Sequence, residues 1–186
     1  GRDHSENTLL RKQFSRTQLL RFIAQLPPCL IAFEACGGAH WLARVCQRHG
    51  HQTKLIPPQY VKPYVKGNKN DFIDADAIAE AASRPGMRFV QPKSETAQVI
   101  SVCHRLREGF VTERTAAMSR IGAILLEFGL SLPQGHSTMK QLFCWIGKQE
   151  IELPQALYAE LMLAHEHYLL LNERIAEQDR KIAEWV

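Results

Sequence analysis

"CLIAFEACGGAHWLARVCQRHGHQTKLI", residues 29–56, decides the fold. Its first six residues are a short apolar run ended by Glu34, the pattern of a strand buried on both faces. Gly37-Gly38 then turns the chain into a helix over 39–50, closed by Gly50. "QTKLI" (52–56) follows as another strand and stops at Pro57-Pro58. Working upstream, "SRTQLLRFIAQL" (15–26) reads as a helix. Ser15 with Gln18 makes a capping box, and Leu19, Leu20, Phe22, Ile23 and Leu26 form its inner face. "TLLRKQF" (8–14) reads as a strand from its apolar and aromatic content, with "DHSEN" (3–7) as the turn leading into it. Strand, helix, strand, helix, strand predicts an α/β layer architecture.

Downstream, "PPQYVKPYVKGNKN" (57–70) reads as a long loop, and a helix runs from near Asn70 to before Pro85. "GMRFVQP" (86–92) is a brief extended link. From residue 94 the pattern changes to long helices. One is predicted from about Ser94 to Phe128, with Val99, Cys103, Leu106, Phe110, Ala117, Ile121, Ile124 and Phe128 as its stripe. "PQGHSTMKQLFCWIG" (133–147) is a turn and a short helix. A last helix starts near Pro154. Its Leu157, Leu161, Ala164, Tyr168, Leu171, Ile175, Gln178, Ile182 and Trp185 alternate spacings of four and three, a coiled-coil signal. That seam can pair with residues 95–128 or with another chain. The predicted organisation is therefore α/β then all-α: an α/β domain over 1–93 and a helical coiled-coil region over 94–186.

Composition narrows the function classes. With 45% hydrophobic residues the chain can bury a core. Its five cysteines are irregularly spaced and mostly in apolar surroundings. They predict reduced, buried thiols of a cytosolic protein rather than a disulfide framework or a zinc site. No apolar run approaches the 18 or so residues of a membrane span. The net charge of +4 hides an asymmetry: residues 1–93 carry 14 Lys and Arg against 7 Asp and Glu, and residues 94–186 carry 9 against 12. The basic half suits a polyanion. The chain begins Gly1-Arg2 rather than with Met, as a piece of something longer would.

Chemistry concentrates in "NKNDFIDADAIAEA" (68–81). Asp71 and Asp74 are one helical turn apart and project together, while Asp76 points away. Such a pair can simply favour the positive end of a helix dipole. Glu34, however, ends a strand of apolar residues, where a carboxylate must be solvated, paired or metal-bound. Lys54, Lys62, Lys66 and Lys69 lie in or beside the loop that feeds into Asp71. Hard oxygen ligands, no plausible His/Cys set and a basic approach favour Mg²⁺ over Zn²⁺.

A glutamate ending a strand, then a helix and a strand, then a helix bearing Asp-x-x-Asp resembles the RuvC branch of the RNase H-like fold. More narrowly, "PPCLIAFEACGGAHWLAR" (27–44), "LIPPQYVKPYVKGNKND" (55–71) and "DAIAEAASRPGMRFVQPKS" (76–94) resemble the DEDD-type insertion-sequence transposases. That is the family of the Piv invertases and the RNA-guided bridge recombinases. The likeness continues through "RTAAMSRIGAILLEFGLSLPQG" (114–135). It implies a RuvC-like domain incomplete at its N-terminus, a helical arm, and metal-dependent DNA strand cleavage and transfer. It also implies a bacterial, cytoplasmic, nucleoid-associated setting. By the same resemblance Glu34, Asp71 and Asp74 are the catalytic carboxylates and hold Mg²⁺ or Mn²⁺; Asp76 receives no role. The family's first aspartate lies on a strand upstream of "TLLRKQF", and its serine domain has no counterpart here, so this chain alone is expected to be inactive. The alternative is a non-catalytic nucleic-acid-binding and dimerisation module.

Lys62, Lys66 and Lys69 with Tyr60 and Tyr64 resemble a strand-binding loop, where cations meet phosphates and rings stack on bases. Arg105, Arg107, Arg114 and Arg120 alternate with glutamates, as on a solvated helix face; the RNA-guided relatives add a guide RNA as a further candidate partner. DNA is the expected substrate. The final heptads offer a homo-oligomer seam through the C-terminal helices or an intramolecular one, and Ser15 is read as a helix cap rather than a nucleophile.

Overall fold

β1 (Leu30–Glu34) and β2 (Gln52–Ile56) pair in parallel, with Leu30 opposite Gln52 and Glu34 opposite Ile56. The computed structural model describes every residue except 4, 6, 66–69, 134, 149–151 and 186. α2 (Ala39–Arg48) makes the crossover, entered through Gly38 at φ 84°, a left-handed conformation that suits glycine. Side chains alternate along each strand and match across the pair, which sorts them onto two faces. Phe33 and Leu55 pack with Ala39 and Ala43 of α2. On the other face Ala32 and Ile56 pack with Ala77, Ala81 and Ala82 of α4 (Asp71–Ser83). A three-layer helix–sheet–helix sandwich results. Lys54, also on the α4 face, donates from Nζ to the Ala82 carbonyl at 3.1 Å and lies over the Phe89 ring. Val90 extends the sheet by a single antiparallel bridge to Leu55.

The chain divides into two compact units, Gly1–Glu95 and Thr96–Val186. In the first, α1 (Arg16–Gln25) carries the expected capping box: Ser15 Oγ accepts from the Gln18 N–H, and Gln18 returns the bond to the Ser15 N–H. α4 is capped by Asn70, whose side chain accepts from the N–H groups of Phe72 and Ile73.

Four expectations need correction in this unit. Residues 8–14 form no strand; only Thr8 bridges to Arg2, and Leu9 is 71% exposed. The backbone of Leu9 and Leu10 bonds to Gly1 rather than to β1 or β2, and Arg11 on Asp76 and Gln13 on Asp71 tie the segment to α4 by side chains. β1 is not buried on both faces: Cys29 and Leu30 are exposed and Ile31 to Glu34 half-buried. Among the described residues β1 has one strand neighbour, so its other edge is uncovered. The stretch after Pro57 is not an open loop, because α3 (Pro58–Val61) and a 3₁₀ turn (Lys62–Tyr64) shape it against α4. All five cysteines are free, but Cys29, Cys36 and Cys144 are exposed and only Cys46 and Cys103 buried.

The second unit holds most of α5 (Glu95–Leu126), then α6 (His136–Gly147) and α7 (Gln155–Ala183). The middle of the seam read from the sequence is buried within the chain, at Leu161, Tyr168, Leu171, Ile175 and Gln178; Leu157, Ala164 and Ile182 are half-buried, and Trp185 is exposed, contrary to expectation. α5 and α7 run antiparallel. Arg107 pairs with Asp179 and Arg114 Nη1 with Asn172 at 3.0 Å, seven residues forward on one helix and seven back on the other. At the other end Ile121 and Leu125 share a core with Leu142, Phe143, Ile146 and Leu161. The stripe on α5 is shorter than expected. Val99, Leu106 and Phe128 are exposed, while Leu125, outside the predicted set, is buried. With Arg107 level with Asp179, α7 runs out near Cys103, and Val99 lies beyond its cover. No described helix is long and apolar enough to cross a membrane.

Two histidines border this core, His165 half-buried and His136 at its exposed margin. The His165 ring stacks on Phe143 with centroids 3.7 Å apart, and His136 Nδ1 lies 2.9 Å from the Tyr168 hydroxyl. Burial lowers both pKa values from 6.5; Arg114 lowers that of His136 further, and Glu166 opposes the shift at His165. The folded chain thus holds these rings neutral more strongly than the unfolded chain does. Stability is full above about pH 6.5 and declines below it, where the unfolded chain binds more protons. The urea midpoint by circular dichroism is expected to fall between pH 7.5 and 5.5, and His165→Phe to flatten part of that fall. Leu161→Ala, in the buried seam, is expected to cost about 2–5 kcal/mol in the same assay. Leu163→Ala, on the exposed face of α7, is expected to stay within about 0.5 kcal/mol.

Candidate functional site

Glu34 is the last residue of β1, and the strand's alternation sets its place. Ala32, two residues earlier, packs on the α4 side of the sheet, as does Ile56, the partner of Glu34 in the ladder. Glu34 therefore projects from the face that α4 covers. It is half-buried, and its side chain has no ion-pair or hydrogen-bond partner among the described residues.

Asp71 and Asp74 occupy the first turn of α4. The Asn70 cap fixes where this turn begins, and both carboxylates sit at the positive end of the helix dipole. Asp71 is exposed and its Oδ2 accepts from Gln13 Nε2 at 3.4 Å; Asp74 is half-buried, and its side chain has no partner among the described residues. Asp76 points elsewhere, as its spacing implied. Arg2 reaches it at 3.4 Å and Arg11 at 3.7 Å, with Arg11 also over the Phe72 ring at 4.9 Å. Arg2 lies 3.8 Å from Glu80, one turn further on. Arg2 and Arg11 are thus spent on Asp76 and Glu80, and among the described residues Glu34 and Asp74 have no counter-charge.

The donor set is chemically suited to a hard cation: carboxylate oxygens, two of the three groups unpaired, on elements packed against each other. Among the described residues, however, no three His, Cys, Asp or Glu side chains stand together closely enough to hold a metal ion.

The basic surface divides differently from its sequence pattern. Lys62 is exposed on the 3₁₀ turn. Lys66 and Lys69 lie outside the described residues. Tyr60 and Tyr64 are half-buried against Ile56, Val61, Ala77 and Ala81, and the Arg84 guanidinium lies 5.9 Å from the Tyr64 ring centre. Their rings serve the core of the α4 layer. Lys54 is engaged with the C-terminal end of α4, a role its position beside the loop did not signal. Gln13 was missed as a neighbour of Asp71, because only tertiary packing brings the two together.

Residues 2–129 match the DEDD_Tnp_IS110 family model, described as a transposase. The chain is 51% identical over 176 residues to the transposase for insertion sequence element IS1328 of Yersinia enterocolitica, covering 95% of this chain and 52% of that protein. It is 42% identical over 135 residues to the transposase for insertion sequence element IS1111A of Coxiella burnetii, covering 73% of this chain and 37% of that protein. The chain thus spans about half or less of the length of these relatives. No solved structure matches it. The family model covers residues 2–129 and the similarity to the IS1328 transposase 95% of the chain, so this chain belongs to the DEDD transposases of the IS110 family.

Proposed function

We propose that residues 1–93 are the RuvC-like part of a transposase that cuts and transfers DNA strands, and that residues 94–186 form its coiled-coil arm. The observation that carries the reading is the placement of Glu34 on the sheet face covered by α4, the helix whose first turn bears Asp71 and Asp74. A helix antiparallel to the strands it covers brings its first turn beyond their carboxyl ends, where Glu34 stands. Lys54 supports that direction by meeting α4 at its last turn from the middle of β2.

Glu34, Asp71 and Asp74 are the proposed ligands of Mg²⁺ or Mn²⁺. A divalent cation bound there supplies charge stabilisation to the oxygens of a phosphodiester in cleavage and transfer. The residues of the chain prepare for it. Asn70 fixes the first turn of α4, and Arg2 and Arg11 hold Asp76 aside. Gln13 holds Asp71 by one oxygen, leaving the other open. Lys62, with Lys66 and Lys69 after it, is the proposed phosphate contact for DNA; Tyr60 and Tyr64 support that turn from below. Since α5 occupies the heptad seam, pairing between copies through α7 falls to its other side, where Met162, Leu163, Leu169 and Leu170 are exposed. A second reading, a nucleic-acid-binding module without catalysis of its own, is favoured by the lack of a closed three-ligand cluster among the described residues.

Mg²⁺-dependent nicking of DNA, measured on this chain and on a form extended upstream, tests the pair of readings. Under the first, the extended form cuts, Asp71→Asn abolishes cutting, and Asp76→Asn leaves it intact. Cutting that survives Asp71→Asn would sink the metal assignment. For DNA contact, the slope of log affinity against log salt is expected to shrink by about 1 for each of Lys62, Lys66 and Lys69 changed to Ala. An unchanged slope would remove that loop from the interface.

A further inference from the structure

Away from the carboxylates, the junction ahead of β1 brings a thiol and an imidazole together. Cys29 follows Pro27-Pro28 and is exposed. Its Sγ lies 3.5 Å from Nδ1 of His51, and its own N–H donates to the same nitrogen at 3.2 Å. His51 is only 3% exposed, and its Nε2 lies 2.9 Å from the Ile23 carbonyl oxygen at the C-terminal end of α1. A backbone carbonyl can only accept, so Nε2 carries the hydrogen and Nδ1 turns its lone pair towards Cys29. The base is thus held in one tautomer by a third group, with the nucleophile within reach and open to solvent. The ladder steadies the arrangement further, since Gln52 N–H donates to the Cys29 carbonyl at 3.0 Å and His51 N–H to the Cys46 carbonyl at 3.1 Å.

None of the other cysteines shares this setting. Cys36 and Cys144 are exposed without an imidazole partner among the described residues. Cys103 is buried. Cys46 is wholly buried, and burial, with a smaller contribution from Cys29, pushes its thiol pKa up.

We propose that Cys29 is a modification site, a thiol activated by His51 that reacts with hydroperoxides. The sulfur attacks one peroxide oxygen, forming an S–O bond as the O–O bond breaks. Sulfur loses two electrons and the peroxide gains them. The thiol proton passes through His51 Nδ1 to the departing hydroxide, which leaves as water, and Cys29 becomes a sulfenic acid. Its product sits where α1, β1 and β2 meet, so oxidation loosens the contact that joins them.

The test treats the full chain with equimolar hydrogen peroxide and dimedone at pH 7 and quantifies each cysteine peptide by mass spectrometry, with iodoacetamide labelling in parallel. Cys29 is expected to react about tenfold or more faster than Cys36 and Cys144 with both reagents. In His51→Gln, Cys29 is expected to fall to the rate of Cys36 while the circular dichroism spectrum is unchanged. Equal rates at Cys29, Cys36 and Cys144 in the native chain would overturn the proposal, as would an undiminished Cys29 rate in folded His51→Gln. Should that variant not fold, the comparison among the three exposed thiols of the native chain decides alone.

Discussion

The parallel pairing of β1 with β2 is the constraint on which the first unit rests. Because partners across a parallel ladder share a face, one register decides every layer. Phe33 and Leu55 go to α2, while Ala32, Glu34, Lys54 and Ile56 go to α4. Slipping β1 by one residue along β2 would turn Glu34 towards α2 while Lys54 kept its place on the α4 face. The same slip would take Phe33 out of its cluster with Ala39, Ala43 and the fully buried Leu55, which opposes it. A polar group with a prospective chemical task is therefore held in place by the burial of apolar neighbours.

Electrostatics then distributes the remaining work on α4. Its acidic residues fall into two groups. Asp76 and Glu80 take the arginines of the first segment, in contacts that solvent weakens. The first-turn pair faces the other way and, among the described residues, meets only an amide from Gln13. Five residues separate the structural acid Asp76 from Asp71, and helical geometry is what divides them.

How much of this was legible depended on whether a signal was local. Ser15 with Gln18 caps its helix as read, and the helix expected from near Asn70 starts there, because capping bonds close within three residues. The seam on α7 was legible because four heptads repeat one instruction, and Gln178 is buried by position despite its amide. Residues 8–14 misled because Arg11 finds its partner, Asp76, more than sixty positions away. Cys29 and Leu30 misled because an apolar run says nothing about how many neighbours the strand will have. Tyr60 and Tyr64 look like stacking platforms in sequence, yet a short helical turn folds them inward. Of the proposed ligands, spacing placed Asp71 and Asp74 together; the face on which Glu34 lies required the ladder.

The seven-for-seven match between α5 and α7 has a mechanical consequence. α5 alone is 32 residues, a rod of about 48 Å. Sliding one helix along the other by a single turn would break the Arg107–Asp179 and Arg114–Asn172 bonds together and pull Leu161 from beside Leu125. Intermediate positions satisfy none of these contacts. The α5–α7 pair is consequently fixed in one register rather than free to slide.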